Sequence, residues 1–436
     1  MSQAPFSITA GELSSLGSKN IPDELISGRH LIYNSPAALS FNSPGAHGFG
    51  VKRAGMAIPG SVMLLVSPGC CGRNTSQIMA GPEYGKRFFY FLLDENDIVT
   101  GKHLNRIPQA VKEIVDHLKE KPSMVMICIT CVDALLGTDM ERVCRKAEKA
   151  ADIKVRACYM YALTRDSRKP PMVAVRKSVY SLLEKGKKKS DTCNILGFFS
   201  PLSDECELYP MLKSVGINSI QEISRCKDFN EYTKLSNANF NLVLNAEARS
   251  AADDMEQRLH IPSIELTRLY EIDKIENQYK SLGQVLNVVF HDSRYRVEAQ
   301  NAVDRFCEKH SDAAISIGSV LNANAFELAL ALIKYGLTVT EIFADPTPGD
   351  FTYIHRIARL RPSVRIYSNL SPTMLHYHAD EHPATIAIGE DACWYHKKAA
   401  HLPWNDEVQP FGYNAVTNLF NQMSRILEKD KKVVSK

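Results

Sequence analysis

Short apolar runs recur along this chain, each followed by a stretch whose apolar residues repeat at helical spacing. Val62-Met-Leu-Leu-Val66, Phe88-Phe-Tyr-Phe-Leu-Leu93 and Met124 to Ile129 are such runs. A strand covered on both faces reads as a continuous apolar run, whereas a strand with one wet face alternates. After the second run, Leu104, Ile107, Val111, Ile114, Val115 and Leu118 form a single helical stripe. Asp139 to Ala150 repeats the pattern through Met140, Val143 and Ala147, and Ile153 to Tyr159 returns as a strand. Strands separated by helices cannot pair as hairpins, so the pattern predicts a mostly parallel sheet.

Two further blocks follow the same logic. Strand Asn194 to Phe199, helix Glu205 to Val215 closed by Gly216, strand Phe240 to Asn245 and helix Ser250 to Leu259 make the second. A helical tract from Leu266 to His310 leads into the third, where Ala313–Ile317, Leu337–Phe343, Val364–Tyr367 and Ala384–Ile388 alternate with helices. Asn414 to Lys429 closes the chain as an amphipathic helix. The expected fold class is α/β, with three Rossmann-like domains, each a mostly parallel sheet flanked by helices. Their expected bounds are 1–188, 189–310 and 311–436. A length of 436 residues agrees with domains of about 150 residues each.

Bulk chemistry removes several classes of partner. A formal charge of +3 is nearly neutral and argues against nucleic acid or an anionic membrane as partner. The basic stretch Lys185-Gly-Lys-Lys-Lys189 reads as a solvated linker. The chain lacks an apolar run near the ~18 residues that span a bilayer, and its first 30 residues lack the apolar core of a signal peptide. The expectation is a cytoplasmic protein. Its 11 cysteines then read as reduced thiols or metal ligands.

Two of these cysteines sit where α/β sheets place ligand-holding loops, after a strand pattern and before a helix pattern. Cys71 lies in Ser67-Pro-Gly-Cys-Cys-Gly-Arg-Asn74 and Cys131 follows the run ending at Thr130. Cys70 is a secondary candidate, since neighbouring side chains diverge. Cys128 has C-x-x-C spacing with Cys131, but i and i+3 face opposite ways along a strand, which favours a core role. A cubane iron–sulfur cluster takes four thiolates, and two per chain implies a cluster shared between subunits. Other motifs are weaker. His378 and His382 are spaced to clamp a metal on one helix face, though Pro383 ends that helix. Gly45-Ala-His-Gly-Phe-Gly50 precedes a strand rather than following one, so it does not read as a dinucleotide loop. There is no GxxxxGK[ST] phosphate loop, so any ATP used must be bound by another protein.

Taken together these segments resemble the nitrogenase component 1 superfamily. Leu93-Asp-Glu-Asn-Asp-Ile-Val-Thr-Gly101 is similar to the family's acidic Asp-Ile-Val-x-Gly segment. Ser67-Pro-Gly-Cys-Cys-Gly72 is similar to its Gly-Pro-x-Gly-Cys loop, with the ligand at Cys71. Thr130-Cys-Val-Asp-Ala-Leu-Leu-Gly-Thr-Asp-Met-Glu141 is similar to its second cysteine loop. Asn241–Asn245, Arg249-Ser250, His260–Pro262, Leu402-Pro403 and Phe411–Tyr413 follow in family-like order.

The departures matter as much. Phe41-Asn-Ser-Pro-Gly-Ala46 carries no further cluster cysteine, and Asn245-Ala-Glu-Ala-Arg-Ser250 lacks the cysteine that anchors the molybdenum–iron cofactor. The resemblance therefore implies a nitrogenase-like reductase rather than a dinitrogen-reducing enzyme. Its implied cofactor is a [4Fe–4S] cluster shared between subunits and held by Cys71 and Cys131. Its implied partners are a second copy or paralogous subunit, a separate ATP-dependent iron–sulfur reductase that delivers electrons, and a reducible small-molecule substrate such as a tetrapyrrole. Asp94, Glu95 and Asp97 are either part of the docking surface or solvated caps. The alternative reading is a scaffold on which a nitrogenase-type metallocofactor is assembled.

Overall fold

A computed structural model describes residues 4–26, 29, 50–69, 85–159 and 170–434, with main chain alone at Val51, Lys52, Cys131, Ala134 and 430–434. The described residues form three sheets. The first has strands β2 (Val62–Ser67), β3 (Phe88–Leu92), β4 (Val125–Ile129) and β5 (Val155–Tyr159) in the order β3-β2-β4-β5, all parallel. The second has β6 (Lys189–Leu196), β7 (Ser219–Glu222), β8 (Ala238–Val243) and β9 (Ser263–Glu265) in the order β7-β6-β8-β9, again all parallel. The third joins β1 (Ile8–Thr9), β10 (Ala314–Ile317), β11 (Thr338–Phe343), β12 (Arg365–Tyr367), β13 (Ile386–Ile388) and β14 (Ala400–Leu402). Its order is β1-β12-β11-β10-β13-β14, parallel except for β1. The expected α/β class is the one observed.

The chain divides into two compact units. One comprises Met1–Ser43, Leu202–Val215 and Arg268–Lys436, and the other Pro44–Pro201 and Gly216–Thr267. The first and second sheets share the latter unit. Every residue of β2 and β4 is buried, because helices cover both faces. Val62, Leu64 and Val66 pack on helices His103–His117 and Met140–Ala151. Met63, Leu65, Met126, Cys128 and Cys158 face a second core that runs through helix Pro171–Tyr180 to helix Arg249–Leu259. The other unit holds the third sheet. Its helix Ala325–Lys334 is buried at every position from Ala325 to Ile333, in keeping with a sequence apolar on every face apart from Glu327.

Several elements differ from the sequence pattern. β6 starts at Lys189, so the last residue of the basic stretch is strand, and Lys189 to Asp191 are exposed while the next five residues are buried. The helix expected from Glu205 runs only Leu208–Ser214. Pro210 lacks an N–H and is best placed in a first helical turn, where it falls in this shorter helix. The tract from Leu266 to His310 is two helices, Ile272–Leu286 and Ser293–His310. Asn287 at φ 54 closes the first, returning its N–H to Gly283 and Gln284 carbonyls. The metal-clamp geometry for His378 and His382 is absent. They flank a single 3-10 turn, Ala379–Glu381, and His382 Nε2 instead meets Arg365 Nη1 at 3.0 Å. Among the described residues, no helix is long and apolar enough to cross a membrane.

Candidate functional site

Of the sequence candidates, Cys70 and Cys71 lie outside the described residues, as do Gly45 to Phe49 and Phe41 to Ala46. The strand ends that lead into the two cysteine segments are well defined. β2 and β4 are parallel neighbours, with Val66 paired to Ile129. Ser67 and Thr130 are therefore the next step on adjacent central strands, at the carboxyl edge where open α/β sheets bind ligands. Cys131 opens the helix Cys131–Leu136, which Gly137 ends in the left-handed region at φ 68.

Three buried polar atoms in this region have no hydrogen-bond partner among the described residues: Ser67 Oγ, Thr130 Oγ1 and Asp133 Oδ2. Thr130 is the N-cap residue of the Cys131 helix, yet its side chain does not cap it. Two hydroxyl donors left open beside the cysteine segments suit an anionic group that only accepts hydrogen bonds, as sulfide and thiolate sulfur do. On that observation the residues present fit an iron–sulfur cluster.

A buried polar bracket fixes the Cys131 loop from the other side. His103 Nδ1 lies 2.9 Å from the Asp97 carbonyl oxygen and Nε2 lies 3.1 Å from Asp133 Oδ1. Thr138 Oγ1 donates to the same carboxylate oxygen at 3.0 Å, and Thr138 N donates to Asp133 O at 3.1 Å. A carbonyl can only accept, so Nδ1 carries a proton. The opposite ring nitrogen, Nε2, is the one turned to the Asp133 carboxylate. Sequence reasoning quoted Ser67, Thr130 and Asp133 without giving them a role, and passed over His103. The available signal was that Ser67 and Thr130 are the first polar residues after wholly apolar runs.

Asp97 is not a surface acid. It is 4% exposed, and Arg106 Nη1 meets both its carboxylate oxygens at 2.9 and 3.0 Å. The Arg106 guanidinium also lies over the Phe91 ring. Asp94 accepts from Asp97 N at 2.7 Å as N-cap of helix Glu95–Thr100. Glu95 alone of the three is an exposed acid with no cap bond assigned to it.

The eight cysteines with described side chains are free thiols. Cys128 is fully buried beside Cys158, its register partner on β5. Their hydrogen bond, and then burial, push the Cys158 thiol well above its ordinary range. Burial pushes Cys144, Cys193 and Cys393 up to about 12 and Cys226 up to about 11. A thiol held protonated is a core hydrophobe, not a ligand. No group of three or more metal-ligating side chains occurs among the described residues.

The fold is shared with nitrogenase. Structures of nitrogenase Cp1 at pH 6.5 and pH 5 align with TM-scores of 0.64 and 0.63 at 14% identity. They cover 91% and 93% of this chain and 92% and 97% of those chains. The chain belongs to the nitrogenase component 1 type oxidoreductase family, whose model matches residues 47–428. Among curated proteins it is similar to the nitrogenase iron-molybdenum cofactor biosynthesis protein NifE of Klebsiella pneumoniae, at 26% identity over 247 residues, 53% of each chain. The Sinorhizobium fredii protein of that name is 23% identical over 371 residues, 80% of this chain and 74% of the relative. The Nostoc protein is 25% identical over 255 residues, 54% of this chain and 52% of the relative. The matched stretch thus spans about half the length of the first and third relatives.

Proposed function

We propose that this chain is a cluster-carrying scaffold on which a nitrogenase-type metallocofactor is assembled. The observation that carries this reading is the similarity to cofactor biosynthesis proteins, which extends over 80% of the chain in one relative. Cys71 and Cys131 would hold a [4Fe–4S] cluster shared with a second copy or a paralogous subunit. The high thiol ranges of Cys144, Cys193 and Cys393 support leaving the ligand role to the cysteine segments. When bound, such a cluster supplies one-electron storage at low potential. The chain's own residues do the holding: His103, Asp133 and Thr138 fix the loop that presents Cys131, and Asp97 and Arg106 fix the helix start from which His103 reaches it. The cofactor under construction is the cargo, passed on to an acceptor protein. The protein works in the cytoplasm.

The competing reading is a reductase of the same family. It would accept electrons from an ATP-dependent iron–sulfur protein and reduce a small molecule. The family's oxidoreductase type favours it. The two differ in turnover against transfer. Protein purified without oxygen is assayed for iron and sulfide, with Cys71→Ser and Cys131→Ser alongside. About four irons per dimer, lost in both variants, support the shared cluster. Cargo delivery to an acceptor without sustained consumption of reductant supports the scaffold; catalytic consumption of reductant with a reductase partner sinks it.

A further inference from the structure

Ser67 ends β2 and Thr130 follows β4 with extended backbone, each one residue past the Val66–Ile129 pair, so their side chains leave the same face of the first sheet. Both residues are essentially unexposed, at 0% and 1%, and both hydroxyl oxygens lack a partner among the described residues. An unpaired buried hydroxyl costs about 1–3 kcal/mol, and most buried polar atoms are satisfied. Each residue has passed over a local remedy. Thr130 sits at an N-cap, where threonine ordinarily accepts from an amide two or three residues on, yet it makes no such bond. Ser67 spends its carbonyl on Leu93 N at 3.0 Å while its hydroxyl stays open. Thr130 immediately precedes Cys131, and Ser67 lies four residues before Cys71.

We propose that the Ser67 and Thr130 hydroxyls are positioning donors to the sulfur atoms of the cluster, and that they raise its reduction potential. This rests on the reading that a cluster binds at Cys71 and Cys131. The chemistry is specific. Sulfide and thiolate sulfur accept hydrogen bonds without donating any, so a pair of O–H donors satisfies them and leaves no new orphan. Donors to sulfur stabilise the additional negative charge of the reduced cluster more than the oxidised one. Removing one therefore disfavours reduction. The electron involved comes from the external reductant used in the titration, and no bond to protein breaks.

The experiment is an EPR-monitored redox titration of the cluster-loaded protein, comparing wild type with Ser67→Ala, Thr130→Val and Thr130→Ser. Each deletion is expected to lower the reduction equilibrium constant about tenfold, a midpoint 59 mV more negative for a one-electron couple. Thr130→Ser keeps its hydroxyl and is expected to stay at the wild-type midpoint. The melting temperature of the metal-free proteins is measured in parallel. Deletion removes an unpaired group, so the metal-free variants are expected to melt at or above wild type. A variant that loads less iron while its metal-free form melts normally also supports the proposal. Wild-type midpoints in both deletion variants, or lost iron together with lowered metal-free melting, overturn it. Wild-type protein without iron instead sinks the cluster reading itself, which keeps the two failures apart.

Discussion

His103 Nε2 lies 3.1 Å from Asp133 Oδ1, with the two side chains 1% and 0% exposed. This pair joins the helix that begins at His103 to the short helix that carries Cys131. Both partners have been taken out of water, so no solvent replaces their mutual contact, and the bonds that remain are those to Thr138 Oγ1 and the Asp97 carbonyl. The pair is therefore a positioning device whose desolvation is offset only while both members are present.

Removing one member is expected to be severe. His103→Ala strands a buried carboxylate whose Oδ2 already lacks a partner among the described residues, and breaking such a pair costs about 3–5 kcal/mol. Urea unfolding of the metal-free protein measures this. His103→Ala combined with Asp133→Ala should cost clearly less than the sum of the single changes, since the stranded charge is gone. Additive losses would show that the two do not act together.

A second buried pair lies in the third sheet, and its energetics run the same way. Glu341 Oε2 is 3.0 Å from His396 Nε2 and accepts from Tyr377 Oη at 2.9 Å, while Glu341 Oε1 has no partner among the described residues. Phe343, Tyr367 and Tyr395 close around it. Burial first, then the Glu341 carboxylate, pushes the Tyr377 hydroxyl far above its ordinary range. Glu341→Ala is expected to cost about 3 kcal/mol or more. The combined Glu341→Leu, His396→Phe, Tyr377→Phe protein should be as stable as wild type or more so. A triple variant less stable than Glu341→Ala would refute this account.

How much of this was legible beforehand depends on the kind of signal. β2 and β4 could be read because strands buried on both faces leave a continuous apolar run. Ser219–Glu222 and Ser263–Glu265 could not: each has one apolar residue, and pairing alone makes them strands. β1 was hidden too, because its partner Ile366 lies more than 350 residues away. The cysteine segments were legible as motifs. The bracket around Cys131 was not, because His103 and Asp133 are 30 residues apart and only the packing of two helices brings them together. Asp97 was misjudged because a charged residue in an acidic run looks exposed, and its partner Arg106 is a turn into the next helix.

The helix Gly412–Val434 starts on a single carboxylate. Glu207 Oε1 accepts from Tyr413 N at 2.6 Å and from Tyr279 Oη at 2.7 Å, and Oε2 accepts from Asn414 N at 3.1 Å. Gly412 sits directly over Glu207 at φ 65. A Cβ at that position would strike the carboxylate and strain the backbone at once. Gly412→Ala is therefore expected to cost at least about 2 kcal/mol, on the order of a lost cap plus overpacking. Gly336→Ala, at φ 88 with open space around it, should cost only about 1 kcal/mol of backbone strain. Thermal melts of the two variants make the comparison; equal losses would show that the carboxylate does not matter.

Glu327 gives a pH dependence with a definite sign. It is 1% exposed, accepting from Tyr270 N at 3.0 Å and Glu271 N at 3.4 Å. Burial raises its carboxyl to about 7, against the lowering influence of Lys274. The native state therefore keeps a proton that the unfolded chain releases near pH 4.5. Stability from this group is complete below pH 4.5 and is lost as pH rises through 7. At about 1.4 kcal/mol per pH unit, the loss is of the order of 3 kcal/mol. Glu271 works in the opposite sense: Lys334 and Lys274 outweigh its burial and lower its carboxyl, so its contribution is lost only at more acidic pH. Glu327→Gln is uncharged throughout. Its unfolding free energy relative to wild type is expected to be flat below about pH 4.5 and to rise in the variant's favour between about pH 5 and 8. Denaturant titrations at several pH values across that range measure the difference. A wild-type and variant pair that stay parallel would mean Glu327 is already ionised in the folded protein.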